Sequence, residues 1–501
     1  MGRYMSFNPD ETISTGRRII KNSLANYGAT AFDALTNLVS LGLLSRYLGI
    51  NDFGKYSFIV AFAAIFKVMS GMGVPAIVVR EIAKEKENVQ KVYASAFLLH
   101  IFLSLITILV MTVSINLISS SAEVKIAATL CAVAVVLEFF SKLFSAIFQA
   151  YEKMEYDAFQ TIFAQSVYII SIICVVKFGY GLTGVFIALI LTFVSECIFG
   201  FSLVSRKFVR LRLKGNCDHW KYLLKEAYPI GIKMVLRKLN YRIDTLVLAA
   251  MKSSVEVGLF HGVYKMIQSL MFLAEGATKA VFPLFSRYSA TSKSSLQQGY
   301  EKSFKFLILM GLPFGIFFSY FSKPLITLVL GKAFVDATPV LQIFGWVLAL
   351  MFLSNLMEKM LIVSGKQAYT MLATIVSLCI NLALDIILIP KMSYVGASFA
   401  TLVSEITMFG LTFYFVFRFV SYLPVSKVAL KPIFASITTC VILFYIYQIN
   451  IYMAVSCGIL AYIVTLFLTK TFTKDEISIF RQLISRRVKT KFEGLGFHGS
   501  D

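Results

Sequence analysis

Apolar stretches of about twenty residues recur along nearly all of the 501-residue chain, with only short connections between them. A helix of about 20 residues crosses the roughly 30 Å hydrocarbon core of a bilayer and satisfies its backbone hydrogen bonds internally. With 58% hydrophobic and 15% charged residues, the chain has too little charge to clothe the soluble domains its length would otherwise suggest. The sequence is therefore read as an all-α integral membrane protein, and a soluble enzyme with a single anchor is excluded.

Windows of about 19 residues place spans at 20–46, 53–80, 92–118, 124–150, 157–177 and 182–204, then at 226–250, 255–284, 303–329, 335–363, 368–389 and 394–418, and finally at 427–447 and 450–470. The total is about fourteen, with twelve or thirteen still open if one of the last helices lies in the interface. The expected organisation is an N-terminal six-helix lobe at 1–205, a basic cytoplasmic loop at 206–225, a C-terminal six-helix lobe at 226–420, two additional transmembrane helices at 421–472 and a cytoplasmic amphipathic tail at 473–501. In that tail Ile477, Phe480, Leu483, Ile484 and Val488 share a helical face flanked by Lys474, Arg481, Arg486, Arg487 and Lys489, the pattern of a helix lying on anionic lipid.

The net charge of +21 would point to nucleic acid in a soluble protein; here its distribution points to the membrane instead. Arg17, Arg18 and Lys21 precede the first span, Arg80, Lys84, Lys86 and Lys91 fill the second connection, and Arg206, Lys207, Arg210, Arg212, Lys214, Lys221 and Lys225 lie between spans six and seven. The opposite-side loops NDFGKY, KFGYGL, MKSSVE and PKMSYV hold one Lys each. By the positive-inside bias both termini are expected in the cytoplasm. The start, MGRYMSFNPDETISTGRRIIKN, lacks a short apolar core with a cleavage site and is expected to be mature sequence. The seven cysteines show no CxxC or Cys/His spacing and read as packing residues, with neither a disulfide framework nor a metal site.

The two blocks of six echo one another. Gly49, Phe53, Gly54 and Tyr56 after the first span are echoed by Val257, Gly258 and Phe260 after the seventh; Lys153 and Tyr156 match Lys366 and Tyr369; Gly184 and Ala188 match Gly396 and Ala400; TFVSE at 192–196 recurs as TLVSE at 401–405, three residues out of register with the glycine match. Repeated six-helix halves are a transporter arrangement with the substrate site between them.

Polar residues inside the spans fall on stripes. Asn22, Asn26, Thr30, Asp33, Asn37 and Ser40 occupy an arc of roughly 80° on span one. Span four aligns Glu138, Lys142, Ser145, Gln149 and Glu152, span eight His261, Lys265, Gln268, Glu275 and Lys279, and span eleven Thr374, Ser377, Asn381 and Asp385. Glu196 and Glu405 sit near mid-depth on spans six and twelve. Span seven, read as one continuous helix, puts Lys233, Arg237, Asn240 and Asp244 on a face with Lys238 and Arg242 further round. Ionised groups at the bilayer centre cost several kcal/mol unless paired or hydrated, so these faces, with Lys67 of span two, are expected to line an internal aqueous cavity. Glu138 with Lys142, and Asp244 with Arg237 or Arg242, read equally as structural ion pairs. Lys233 and Lys279 are near enough to the cytoplasmic end to snorkel. The sequence has no HExxH, Walker A or Gly-x-Ser-x-Gly motif, and its outward loops are too short for a catalytic domain. No enzyme activity is expected, and without a nucleotide-binding motif any uphill transport must draw on an ion gradient, the membrane potential or downstream consumption.

The runs LGINDFGKYSFIVAFAAIFKVMSGMGVPAIVVREIAKEKE (48–87), IFQAYEKMEY (147–156) and AYPIGIKMVLRKLNYRIDTLVLAAM followed by VGLFHGVYKMIQ resemble polysaccharide flippases of the multidrug, oligosaccharidyl-lipid and polysaccharide exporter superfamily. The resemblance covers nearly the whole chain and implies two six-helix lobes related by a pseudo-twofold, opening alternately around a central cavity. In such relatives cavity cations serve the pyrophosphate or acidic sugars, a role that falls by position to Lys67, Arg237, Arg242 and Lys265. With Lys142 these are the expected substrate-binding residues; Asp33, Glu138, Asp244 and Glu275 are expected to couple a proton or sodium, or to hold those cations in place. No cofactor is expected. The first reading is a multi-pass protein of the cytoplasmic (inner) cell membrane that flips a polyprenyl-diphosphate-linked oligosaccharide to the outer leaflet by alternating access. Its partners would be a lipid-linked anionic oligosaccharide, membrane lipids and the glycan polymerisation machinery, with no nucleic acid. The alternatives are an ion-coupled drug or metabolite exporter on the same fold, against which the cavity's excess of bases counts, and a membrane-embedded glycolipid-processing enzyme, against which the missing catalytic loop counts.

Overall fold

The computed structural model of the chain describes residues 9–119, 121–209, 217–240 and 242–471. Among them are fourteen α-helices and no strand. The first, α1 (Pro9–Gly71), runs for 63 residues, which as one straight rod would be about 95 Å long, three times the hydrocarbon thickness. It is two spans joined at Gly49, whose φ of 69° and ψ of 177° interrupt the helix in a conformation that only glycine adopts without strain. The connection NDFGKY, expected as a loop, is therefore helical. A second break at Met72 and Gly73 divides the second span, and α2 (Val74–Lys84) completes it with Pro75 in its first turn.

Four single spans follow: α3 (Val89–Ile118), α4 (Ala122–Ala150), α5 (Met154–Phe178) and α6 (Gly181–Lys207). The seventh is broken into α7 (Cys217–Asn240) and α8 (Ile243–Met251). This corrects the expected continuous face on span seven, because residues on either side of the break no longer follow one helical period. It also shortens the connection read at 206–225: α6 continues to Lys207, Lys221 and Lys225 already ride on α7, and residues 210–216 lie outside those described. The second half continues with α9 (Ser254–Thr291), α10 (Lys293–Val329) and α11 (Thr338–Val363). Helix α12 (Gln367–Phe419) is again two spans in one, broken at Ser393 (φ 52°, ψ −134°) just after Pro390, so PKMSYV is a kink and not a loop. Helices α13 (Val425–Ile446) and α14 (Ile451–Leu468) form the last pair. Counted across these kinks and breaks, the described residues form fourteen span-like segments, and eleven of their helices are long and apolar enough to cross a membrane. The tail at 473–501 lies outside the described residues.

Helices α1 and α3–α6 pack together, as do α8–α12, and the principal contact between the halves is α1 against α9. The pair α13–α14 leans on α10, where Tyr320 donates to the Cys440 carbonyl at 3.1 Å and Tyr462 to that of Leu309 at 3.1 Å. On α3, Leu105, Leu109, Val113 and Leu117 recur every fourth residue and are at least half exposed. Such a stripe is stable only against lipid.

The halves meet closely at the end of the bundle that carries Gly49. A Cβ on Gly54 would lie 1.7 Å from the Ser254 carbonyl oxygen, and one on Gly258 would lie 2.5 Å from that of Ile50. Each glycine thus faces the carbonyl four residues before the other, the reciprocity that a local two-fold produces and the register in which the sequence echo aligned Gly54 with Gly258. Ser45 donates to the Leu330 carbonyl at 2.9 Å, and Arg46 to that of Leu328. At the opposite end, near Gly73, Tyr27 donates to the Gly276 carbonyl at 2.6 Å, and Arg80 of α2 pairs with Glu226 of α7 at 2.8 Å.

Candidate functional site

Between the halves lie two adjoining chambers of about 520 and 560 Å³, each within the range of pockets that hold sizeable ligands. Asp33, Asn37 and Lys265 line both and form the partition. Asp33 accepts hydrogen bonds from Asn37 at 3.0 Å and from Gln165 at 2.5 Å. Lys265 reaches across from α9 to the Tyr56 hydroxyl at 3.4 Å and stands 5.6 Å from the centre of that ring, so an aromatic face helps carry its charge away from water.

The N-terminal chamber gathers Lys67, Glu138, Lys142, Glu196 and Arg242. Glu138 pairs with Lys67 and, at 2.6 Å, with Lys142. The guanidinium of Arg242 lies 5.9 Å from the centre of the Tyr264 ring, and its Nη1 is buried without a hydrogen-bond partner. A buried guanidinium nitrogen left unpaired is costly and marks a place where an anion would be stabilised.

The C-terminal chamber is lined by Asp244, Glu275 and Glu405 together with amide and hydroxyl groups that include Gln268, Asn355 and Thr401. Asp244 accepts from Asn381 at 2.8 Å and Thr401 at 3.2 Å, so its partners lie on α12, and the expected pairing of Asp244 with Arg242 is not formed. Arg242 sits at the helix break, immediately before α8, whereas Asp244 lies in the first turn of α8, and the two line different chambers. Asp385 adjoins Asp244 and is fully buried, and apart from Asp244 neither of its carboxylate oxygens meets a hydrogen-bonding group; the Asn381 carbonyl oxygen is unpartnered. Two neighbouring buried carboxylates require a shared proton or a cation. An all-oxygen set suits a hard cation such as sodium. Among the described residues no group of three or more His, Cys, Asp or Glu could hold a metal ion.

Of the nine residues singled out in the sequence, the structure brings eight to the chambers: Lys67, Lys142, Arg242, Lys265, Asp33 and Glu138 to the N-terminal one, Asp244 and Glu275 to the C-terminal one, with Asp33 and Lys265 shared. The side chain of Arg237 lies outside those described. The sequence reading passed over α5, which supplies Thr161, Gln165 and Tyr168 to the cavity; its signal was the 157, 161, 165, 168 stripe of polar and tyrosine residues.

The profile of a family described as "Polysaccharide biosynthesis protein" matches residues 19–289, more than half of the chain. The chain belongs to that family. A second profile, MatE, matches residues 229–387. Among individual proteins, the chain is 21% identical over 236 residues to the "Capsular polysaccharide biosynthesis protein CapF" of Staphylococcus aureus, covering 46% of this chain and 60% of that one. It is 24% identical over 320 residues to a "Putative O-antigen transporter" of Shigella flexneri, covering 59% and 72%. The match thus spans less than two thirds of the Staphylococcus protein. The fold of the present chain is shared with solved transporters. "Lipid II flippase MurJ, inward closed conformation" superimposes with a TM-score of 0.73 at 17% identity over 93% of this chain and all of that one. A multidrug resistance MATE transporter in an inward-facing conformation gives 0.59 at 16% identity over 79% and 95%.

Proposed function

We propose that the protein is a flippase that moves a polyprenyl-diphosphate-linked oligosaccharide from the cytoplasmic to the outer leaflet of the cell membrane without altering it covalently. The observation that carries this reading is the pair of charged, hydroxyl-rich chambers between two halves of a bundle whose outer surface is apolar. Sugar hydroxyls and a diphosphate cannot cross hydrocarbon, whereas a polyprenyl tail can stay in it. Lys67, Lys142, Arg242 and Lys265, which line one chamber, would neutralise the diphosphate, the amides and hydroxyls of the C-terminal chamber would take the sugars, and the tail would remain in lipid. With both termini cytoplasmic, the Gly49 end faces outward, and alternate parting of the two ends moves the cavity between sides. The Asp244, Asp385, Asn381 and Thr401 set would hold the coupling sodium or proton. Glycan polymerisation machinery would receive the delivered unit.

The MatE match over 229–387 favours a second reading, an ion-coupled exporter of drugs or metabolites. Depleting the protein in its own cells separates them. A flippase leaves intact lipid-linked oligosaccharide accumulating on the inner leaflet, with drug susceptibility unchanged. Raised drug susceptibility with a normal lipid-linked pool would contradict the proposal.

A further inference from the structure

One carboxylate in the N-terminal chamber holds two ammonium groups from different helices. Lys142 lies one turn beyond Glu138 on α4 and meets its Oε1 at 2.6 Å, while Lys67 arrives from the second span of α1 and meets Oε2. We propose that Lys67 and Lys142 form an oxyanion seat in which Glu138 is a tethered stand-in for the diphosphate of the transported lipid and is displaced when that group enters. The identity of the anion rests on the flippase reading; the seat itself does not.

Three observations carry the seat. A carboxylate that offers one oxygen to each of two ammoniums reproduces the way a phosphate offers two of its own, and each ammonium has three donors, so both lysines keep capacity for a second oxyanion. The side chains of Lys67 and Lys142 are 26% and 47% exposed against 15% for Glu138. The cations therefore open into the chamber and the carboxylate sits behind them, the reverse of a pair enclosed for stability. A dianion brings both lysines more negative charge than the single carboxylate does, which offsets the cost of parting a partly buried pair. Glu196, which lines the same chamber, accepts from Gln160 at 3.4 Å, and among the described residues it is Glu138 that pairs with both lysines. Lys67 also stands one turn before the break at Met72 and Gly73, so the seat adjoins the joint from which α2 reaches α7 through Arg80 and Glu226.

The test is calorimetric titration of inorganic pyrophosphate into the full-length protein in nanodiscs at fixed ionic strength. Glu138→Gln should bind pyrophosphate about tenfold more tightly than the wild type, the scale of one charge-assisted contact no longer contested. Adding Lys67→Gln should erase that gain. Glu138→Asp, one methylene too short to hold both ammoniums, should show an intermediate gain and serves if the Gln variant does not accumulate. Wild-type affinity in a folded Glu138→Gln or Glu138→Asp protein would show that the pair is structural and overturn the seat. The two proposals fail separately: unchanged pyrophosphate affinity in a chain that translocates lipid-linked oligosaccharide defeats only the seat, and tighter pyrophosphate in a chain that translocates none supports the seat and defeats the flippase reading.

Discussion

Among the described cavity cations, Arg242 and Lys265 have no carboxylate in hydrogen-bond contact, and each rests on a tyrosine ring instead. A charge-assisted contact to a diphosphate is worth about 1.5–3 kcal/mol, so Arg242→Ala or Lys265→Ala should lower transport at least tenfold while membrane abundance stays normal. Arg242→Lys should keep part of the activity, since charge without the planar fork still attracts phosphate; flux normalised to protein level checks all three. Asp244→Asn and Asp385→Asn should abolish the response of transport to an imposed sodium or proton gradient while the protein remains in the membrane. Liposome flux with and without the gradient decides this, and an unchanged gradient response would return the acids to a purely structural role. Most of these residues were legible in the sequence because intramembrane charge is expensive and therefore conspicuous. Asp385 was visible in a stripe but not as a site, because its meaning depends on Asp244 lying beside it across 141 positions of chain, a juxtaposition that periodicity cannot supply.

At the scale of elements, apolar periodicity yields the number of spans and misses their breaks. The stretch NDFGKY reads as a loop, yet the helix resumes at once: one positive-φ glycine is enough to turn the chain, and Asn51 and Asp52 suit the first turn of the helix that follows, where Asp52 pairs with Lys55 at 2.8 Å. The break at Arg242 falls in KLNYRID, which has neither Gly nor Pro, so the polar stripe on span seven reads straight through it. The consequence is chemical: Arg242 turns to one chamber and Asp244 to the other. The crossing of α1 and α9 is the element contact most sensitive to a single atom. In Gly54→Val the new side chain must push back a carbonyl that a Cβ would approach to 1.7 Å, which holds the Gly49 end apart. A cysteine placed at Asn37 should then react with a membrane-impermeant maleimide added outside, while the same cysteine in the Gly54 background stays protected. Equal protection in both would show that this contact does not seal the cavity.

For the whole molecule, the division into two halves and a final pair follows from span count and charge distribution, whereas the partition of the cavity by Asp33 and Lys265 emerges only when α1 and α9 are brought together. The basic residues after α6 predict the orientation by the positive-inside bias. A cysteine introduced at Lys214 should resist the outside reagent in intact cells and one at Lys252 should react; the reverse pattern would invert the orientation and the proposed direction of transport. The central claim is that the charged cavity carries a lipid-linked glycan across the bilayer. Its most direct test is proteoliposomes loaded with a polyprenyl-diphosphate oligosaccharide, in which arrival of the sugar at the opposite leaflet is followed by an added lectin. The account predicts transfer of chemically unchanged glycolipid by the wild-type protein and at least tenfold slower transfer by Arg242→Ala with Lys265→Ala. Wild-type rates in that double variant, or no transfer by any form of correctly inserted protein, would contradict it.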